Sequence, residues 1–284
     1  MWSRKKYKTF HPYPDRPNSL SRHMALADSF DGFLVDLDGV VWVGREPVSG
    51  APEALRALHE AGKEVVFVTN NPGRPASTYA ERLRAAGVPA GDERVVTAGT
   101  ATARLAAARV GTGATAFAIG ATAFHDSVAE AGLRLLDGEA GRETDAVLVS
   151  GHRGFDYEEL LTATLALQAG ASLFATSRDP TLPMPDGAWP GTGAVLAAVE
   201  TASGARAEIG GKPERHLFDN ARALIPDAER VAMVGDRIAS DIEGGRRAGL
   251  ATILVLSGAT SAAEAEAADP APDHVIADLA ALLR

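Results

Sequence analysis

The chain has 284 residues, 46% of them hydrophobic, a net charge of −9 and no cysteine. That length suits one large domain with a smaller one, and the lack of cysteine removes disulfides, thiol nucleophiles and thiolate metal sites. The acidic balance disfavours nucleic acid as a partner, and no apolar run reaches membrane-spanning length, so a soluble, cytoplasmic protein is expected.

Residues 1–30 carry Arg4, Lys5, Lys6 and Lys8, then Pro12, Pro14 and Pro17, with no hydrophobic periodicity. No apolar core follows the basic residues, so the stretch does not read as a secretory signal. A flexible N-terminal extension is expected, with a basic anchoring arm as the alternative.

The first periodic element is Phe33-Leu34-Val35, β-prone and bounded by Gly32, and it runs into Asp36-Leu37-Asp38-Gly39. An apolar run this short reads as a buried strand, and acids at its C-terminal end lie where an open α/β sheet keeps its ligands. Asp36 and Asp38 are two apart, so the strand period points both to one side. Gly39 lets the backbone turn sharply and bring an N–H close to an anion. Two crowded carboxylates need a cation or different roles, and Mg²⁺ suits oxygen ligands of this kind. A surface Asp-x-Asp turn is the alternative for these residues taken alone.

A helix is predicted over 51–61, with Pro52 near its start, and a strand over 65–68 that ends in Thr69-Asn70-Asn71. Thr69 can donate a hydrogen bond, and the N–H groups after it can face an anion before a helix over 75–86. Ordinary loop capping by Thr and Asn is the other reading. Ala-Gly pairs at 61–62, 86–87, 131–132, 169–170 and 248–249 close predicted helices, and apolar runs often follow them. Alternating helices and apolar strands give a parallel sheet with helices on its faces.

Residues 100–190 read as an inserted α/β unit, with strands over 115–119, 146–149 and 173–176 and helices over 123–131 and 157–169. Such a unit can serve as a lid that keeps water from a site. Its last segment, 176–190, holds four prolines and reads as a pre-ordered loop. Arg178, Asp179, Leu182, Met184 and Trp189 there could meet a substrate, or the loop could be a linker. Residues 191–284 return to the core with 31–99, beginning with a helix over 193–203 capped by Thr192.

Gly210-Gly211-Lys212-Pro213 presents one lysine from a turn, where an ammonium can neutralise a carboxylate and a phosphate, or remain solvated. A strand over 231–234 then runs into Gly235-Asp236, followed by Ser240-Asp241. One of these acids can bind metal while the other supports it from the start of a helix.

Taken together, Asp36-Leu37-Asp38-Gly39-Val40, Thr69-Asn70-Asn71, Gly211-Lys212-Pro213 and Gly235-Asp236-Arg237…Ser240-Asp241 resemble the four motifs of the haloacid dehalogenase-like hydrolases. Pro190-Gly191-Thr192-Gly193 and Leu256-Ser257-Gly258 resemble its NagD-like and 4-nitrophenylphosphatase-like subgroup, with a cap inserted after the second motif. Ser240 stands where Thr is common, and Thr176-Ser177-Arg178-Asp179 departs from the usual Thr-Asn-x-Asp.

The resemblance implies a Rossmann-like parallel-sheet core with helices on both faces and an α/β cap. It also implies a Mg²⁺-dependent phosphatase of small phosphorylated metabolites such as sugar phosphate, glycerol phosphate or phosphoglycolate, and a possible homodimer. Asp36 would be the nucleophile that forms an aspartyl-phosphate, and Asp38 the general acid and base. Mg²⁺ would be held by Asp36, the Asp38 carbonyl and Asp236, with Asp241 in support. Thr69, Lys212 and the N–H groups around Gly39 and Asn70 would stabilise charge, with Asn71, Arg178 and Asp179 near the substrate. An acid at position 38 favours esters whose alkoxide leaving group needs a proton. A phosphomutase or phosphotransferase, and a phosphate-binding module without catalysis, are the competing readings.

Overall fold

The computed structural model describes residues 25–184 and 187–284. Residues 1–24, most of the expected extension, lie outside the described residues. Residues 25–30 do not belong to an extension: a 3-10 turn over Leu26–Ser29 buries Ala27, and Phe30 stacks edge-on against Phe33 at 5.8 Å. Apolar side chains at 26, 27 and 30 pack into the core, so residues before the first strand are part of it.

The core is a six-stranded parallel sheet. Strand β1 (Gly32–Asp36) is followed by a small hairpin, β2 (Trp42–Val43) and β3 (Glu46–Pro47), then helix α1 (Ala51–Glu60), β4 (Glu64–Thr69), α2 (Ala76–Ala85) and β5 (Val95–Thr97). At the ends of α1 and α2, Gly62 and Gly87 adopt φ of +71° and +80°, the left-handed cap that their Ala-Gly pairs imply.

Helix α3 (Ala98–Val110) leaves this sheet for a second one: β6 (Thr115–Ile119), α4 (Thr122–Glu130), β7 (Arg134–Leu135), β8 (Ala146–Val149), α5 (Tyr157–Gln168) and β9 (Ser172–Ala175). A hairpin, β10 (Thr181–Met184) and β11 (Gly187–Pro190), helix α6 (Thr192–Ser203) and β12 (Glu208–Ile209) complete it. The chain returns to the core through α7 (Arg215–Arg222), β13 (Val231–Gly235), α8 (Glu243–Arg247), β14 (Ala251–Val255) and β15 (His274–Ile276).

The core order is β15-β14-β13-β1-β4-β5, so β1 is central, with β4 on one side and β13 on the other. All five residues of β1 are buried, as a strand covered on both faces requires. One face packs Leu55, Leu58, Tyr79 and Leu83 from α1 and α2, and the other packs Leu217, Phe218 and Ala221 from α7. The chain leaves β1 toward β4 and leaves its neighbour β13 toward β14, on opposite halves of the sheet, which opens a crevice between the C-terminal ends of β1 and β13.

The second sheet runs β12-β9-β8-β6-β7, also parallel. It extends past the expected boundary at 190. Helix α6 buries Val195, Leu196 and Val199 with Val147, Val149 and Ala163 of this sheet and α5, and β12 pairs with β9. The α6 sequence is apolar enough to cover any sheet, and its burial assigns it to the second. Thr192 does not cap α6; its hydroxyl accepts the Gly151 N–H at 2.9 Å. The segment expected as a stiff loop forms the β10–β11 hairpin, with Leu182 opposite Trp189.

The C-terminal edges of the two sheets meet. A Cβ at Gly211 would come within 2.2 Å of the Thr176 carbonyl, at the end of β9, and 2.8 Å of Asn70 Oδ1, just past β4. No described helix is long and apolar enough to cross a membrane.

Candidate active site

Three strand ends of the core and the segment returning from β12 converge on one point. Asp36 closes β1, Thr69 closes β4, and Asp236 follows β13; the fourth group, Lys212, comes three residues after Ile209, the last residue of β12. Lys212 is 4% exposed, and its ammonium donates to Asp36 Oδ1 at 2.5 Å and Asp241 Oδ1 at 2.6 Å. Burial opposes the lysine charge, but Asp241 and Asp36 outweigh it and hold Lys212 above the usual lysine range.

Carboxylate oxygens of Asp36, Asp236 and Asp241 lie within 4.8 Å of one another. Three acids share one lysine, so the buried cluster carries surplus negative charge when all are ionised. Burial pushes the Asp36 carboxyl up to about 8, against the pull of Lys212, and burial with Asp241 nearby also raises Asp236. Asp236 Oδ2 accepts the Ala259 N–H at 2.7 Å, and its carbonyl accepts the Thr260 hydroxyl at 2.6 Å. Its Oδ1 is buried without a hydrogen-bond partner. A buried, unpaired carboxylate oxygen costs several kcal/mol unless a cation meets it. The donor set of three hard carboxylates, one with an orphaned oxygen, fits a hard divalent ion such as Mg²⁺.

Bare backbone keeps room around that oxygen pair. A Cβ would stand 2.2 Å from Asp236 Oδ2 if placed at Gly39 and 2.1 Å if placed at Gly258. Gly39 also has φ +88°, so it serves both a turn and a close approach. Ser257 donates its hydroxyl to the Gly39 carbonyl at 2.8 Å and ties the loop after β14 to the loop after β1.

The second motif divides its labour. Thr69 is buried, and its hydroxyl oxygen accepts the Asn71 N–H at 3.1 Å, leaving the O–H to donate. The Asn70 amide grips the Lys212 backbone in both directions, accepting the Lys212 N–H at 2.8 Å and donating to its carbonyl at 3.0 Å. Asn71 Oδ1 accepts the Gly73 N–H at 3.0 Å in a local turn. The side chains of Asn70 and Asn71, expected to face substrate, are therefore committed to shaping loops.

Asp38 is exposed, and Trp42 donates its indole N–H to Asp38 Oδ1 at 2.9 Å. Arg178 was expected to meet an anion; its guanidinium instead spans both oxygens of Glu200, at 3.1 and 2.9 Å, and donates to the Ala207 carbonyl at 3.1 Å. Glu200, 8% exposed, needs that cover, and Arg178 leads the contacts that hold its carboxyl down at about 2. Asp179 is exposed, with its N–H bound to Ser177 Oγ at 2.8 Å. Trp189 lies under the Arg153 guanidinium at 4.5 Å. Trp42 and Thr260 carried no functional signal in the sequence, because an indole after an apolar run reads as core and a loop hydroxyl reads as turn, whereas Ser257 stood in a segment that resembles the subgroup.

Two family descriptions match the chain: haloacid dehalogenase-like hydrolase over residues 33–134, and HAD-hydrolase-like over 209–282. The chain is 37% identical over 260 residues to the D-glycerol 3-phosphate phosphatase of Mycobacterium tuberculosis, covering 91% of this chain and 72% of that protein. Its fold matches the crystal structure of a glycerol phosphate phosphatase from the same organism in complex with magnesium, with a TM-score of 0.85, 36% identity, and coverage of 92% and 78%. It also matches a p-nitrophenyl phosphatase from Archaeoglobus fulgidus, with a TM-score of 0.83, 31% identity, and coverage of 90% and 98%. With its parallel sheet, its acids at the ends of β1 and β13 and relatives matched along nearly its whole length, the chain belongs to the haloacid dehalogenase-like hydrolases.

Proposed function

We propose that this protein is a Mg²⁺-dependent phosphatase that hydrolyses small phosphate monoesters through an aspartyl-phosphate formed on Asp36. The observation that carries this reading is the buried cluster of Asp36, Asp236 and Asp241, supplied with one lysine and one unpartnered oxygen, Asp236 Oδ1. Relatives described as glycerol phosphate and p-nitrophenyl phosphatases, one of them solved with magnesium, support both the reaction and the ion.

Asp36, Asp236 and the Asp38 carbonyl would hold the ion. When bound, Mg²⁺ neutralises phosphoryl oxygens and favours the ionised form of the carboxylates around it. Lys212 fixes Asp36 by its Oδ1 and balances Asp241 behind it. An Asp36 oxygen attacks phosphorus in line with the departing ester oxygen. Thr69 and loop N–H groups meet the equatorial oxygens as charge spreads over them. Asp38 protonates the leaving alkoxide, then takes a proton from the water that cleaves the aspartyl-phosphate.

The second unit acts in this reading as a cap, which the meeting of Gly211 with Thr176 and Asn70 supports. Arg178 braces that unit rather than binding substrate. Small anionic metabolites are favoured over nucleic acid by the net charge of −9, and a cytoplasmic setting goes with such substrates.

The test is phosphate release from a panel of alkyl and aryl monoesters, with Mg²⁺ or EDTA, for the wild type and Asp36→Asn. Release that needs both the metal and Asp36 is expected. Equal release by Asp36→Asn would remove the nucleophile assignment, and phosphate moved to a sugar hydroxyl instead of water would favour the mutase.

A further inference from the structure

Asp38 is exposed at the edge of the crevice, where a carboxylate has two equivalent oxygens and little to stop its rotation. Trp42 removes both freedoms. Its ring is 2% exposed, and its buried N–H finds Asp38 Oδ1 at 2.9 Å. The Trp42 carbonyl accepts the Gly39 N–H at 2.7 Å, closing the turn that carries both partners. The Arg82 guanidinium lies 3.9 Å from the centre of the indole and donates to the Gly44 carbonyl at 2.7 Å, pinning the ring against the β2–β3 hairpin.

We propose that Trp42 is a positioning residue for Asp38: its indole occupies Oδ1, so that Oδ2 is the oxygen that delivers the proton to the departing alkoxide. The inference rests on the phosphatase reading above. As the bond from phosphorus to the leaving oxygen breaks, its electron pair stays on that oxygen, the proton passes to it from Asp38 Oδ2, and Asp38 is left as a carboxylate. An N–H bond to a carboxylate is stronger than one to the neutral acid. The indole contact therefore strengthens as the proton departs, which favours the transition state over the bound ester. A 4-nitrophenolate leaves without needing that proton, so its ester draws little on the device.

The experiment compares wild type, Trp42→Phe, Asp38→Asn and the double variant, with Mg²⁺, on glycerol 3-phosphate and 4-nitrophenyl phosphate. Trp42→Phe is expected to lower kcat roughly tenfold more for the alkyl ester than for the aryl ester, the scale of losing one hydrogen bond to a charged group. That selective loss should vanish in the Asp38→Asn background. Equal losses on both esters, or a selective loss that persists without Asp38, overturns the inference while leaving the phosphatase standing. No phosphate release by wild type from either ester overturns both. Should Trp42→Phe fail to fold, the indole ¹H–¹⁵N spectrum decides, with Trp2→Phe and Trp189→Phe assigning the peaks. The Trp42 signal should move upfield in Asp38→Ala, and an unmoved signal refutes the contact.

Discussion

The side-chain amide of Asn70 and the backbone of Lys212, 142 residues apart, are locked by two reciprocal hydrogen bonds of 2.8 and 3.0 Å. Lys212 sits just after the strand of the second sheet, and this clamp fixes it to the core instead. Asn70→Ala should cost about 1–3 kcal/mol of stability, because two backbone groups lose their partners. It should also lower turnover by at least about tenfold as the ammonium drifts from Asp36. Chemical denaturation and phosphate release measure the two effects, and unchanged turnover would show that the lysine is held by its two carboxylates alone.

Gly39 admits no side chain. Gly39→Ala would force an L-residue to φ +88° and drive a methyl against Asp236 Oδ2. A loss of about 1–3 kcal/mol follows from the strained backbone. The displaced carboxylate should also raise the Mg²⁺ concentration needed for half activation, which a metal titration of phosphate release reads directly.

Metal removal should make stability fall with rising pH. Burial, against the pull of Lys212, pushes the Asp36 carboxyl from its ordinary value of 3.8 up to about 8 when no metal ion is bound. Between those values the folded state holds the extra proton, so unfolding is favoured as pH rises. Thermal midpoints in EDTA should decline from pH 5 to 8, and Mg²⁺ should flatten that decline. In EDTA at pH 8, Asp36→Asn should unfold no lower than wild type, since it deletes a charge that burial opposes. A lower midpoint for Asp36→Asn would show that the ion pair with Lys212 outweighs burial.

Arg178 is braced against Glu200 and the Ala207 carbonyl. Arg178→Ala should lower stability by about 1–3 kcal/mol by stripping a buried carboxylate of its main partner, although Arg206 still reaches Glu200 at 2.9 Å. The ranking of substrates should not change. A reordered ranking would return Arg178 to the substrate.

The central strands and the acids at their ends were legible because both signals are local: an apolar run, then a carboxylate in a strand's last residue or just beyond. Asp36 and Asp236 each end or follow such a run, and Thr69 ends another with a hydroxyl in place of the acid. Edge strands were not legible, since β5 and β15 have three residues each and β7 and β12 two, too short for any periodicity. The allegiance of α6 was hidden for a different reason: its apolar positions say that it is buried but not against which sheet. Arg178 misled because a charged residue in a loop looks available, and its partner Glu200 lies 22 residues away. Trp42 stood in the same stretch as Asp38, yet an indole there reads as core until the turn closes and brings its N–H to the carboxylate.

The two passages between the sheets run side by side: a Cβ at Gly210 would come within 2.3 Å of Thr102, in the first turns of α3, and Thr102 and Gly210 both donate to the Ala175 carbonyl. The inserted unit thus hangs from a single joint, like a cassette in a frame. A foreign module that enters at the head of α3 and leaves before Gly211 would leave the order of the core strands untouched. The frame would keep its own lysine, because Asn70 grips Lys212 from the core side of the joint. On the reading of the inserted unit as a cap, what would cover the crevice and what would react inside it are therefore written in separable stretches of the chain, open to independent replacement.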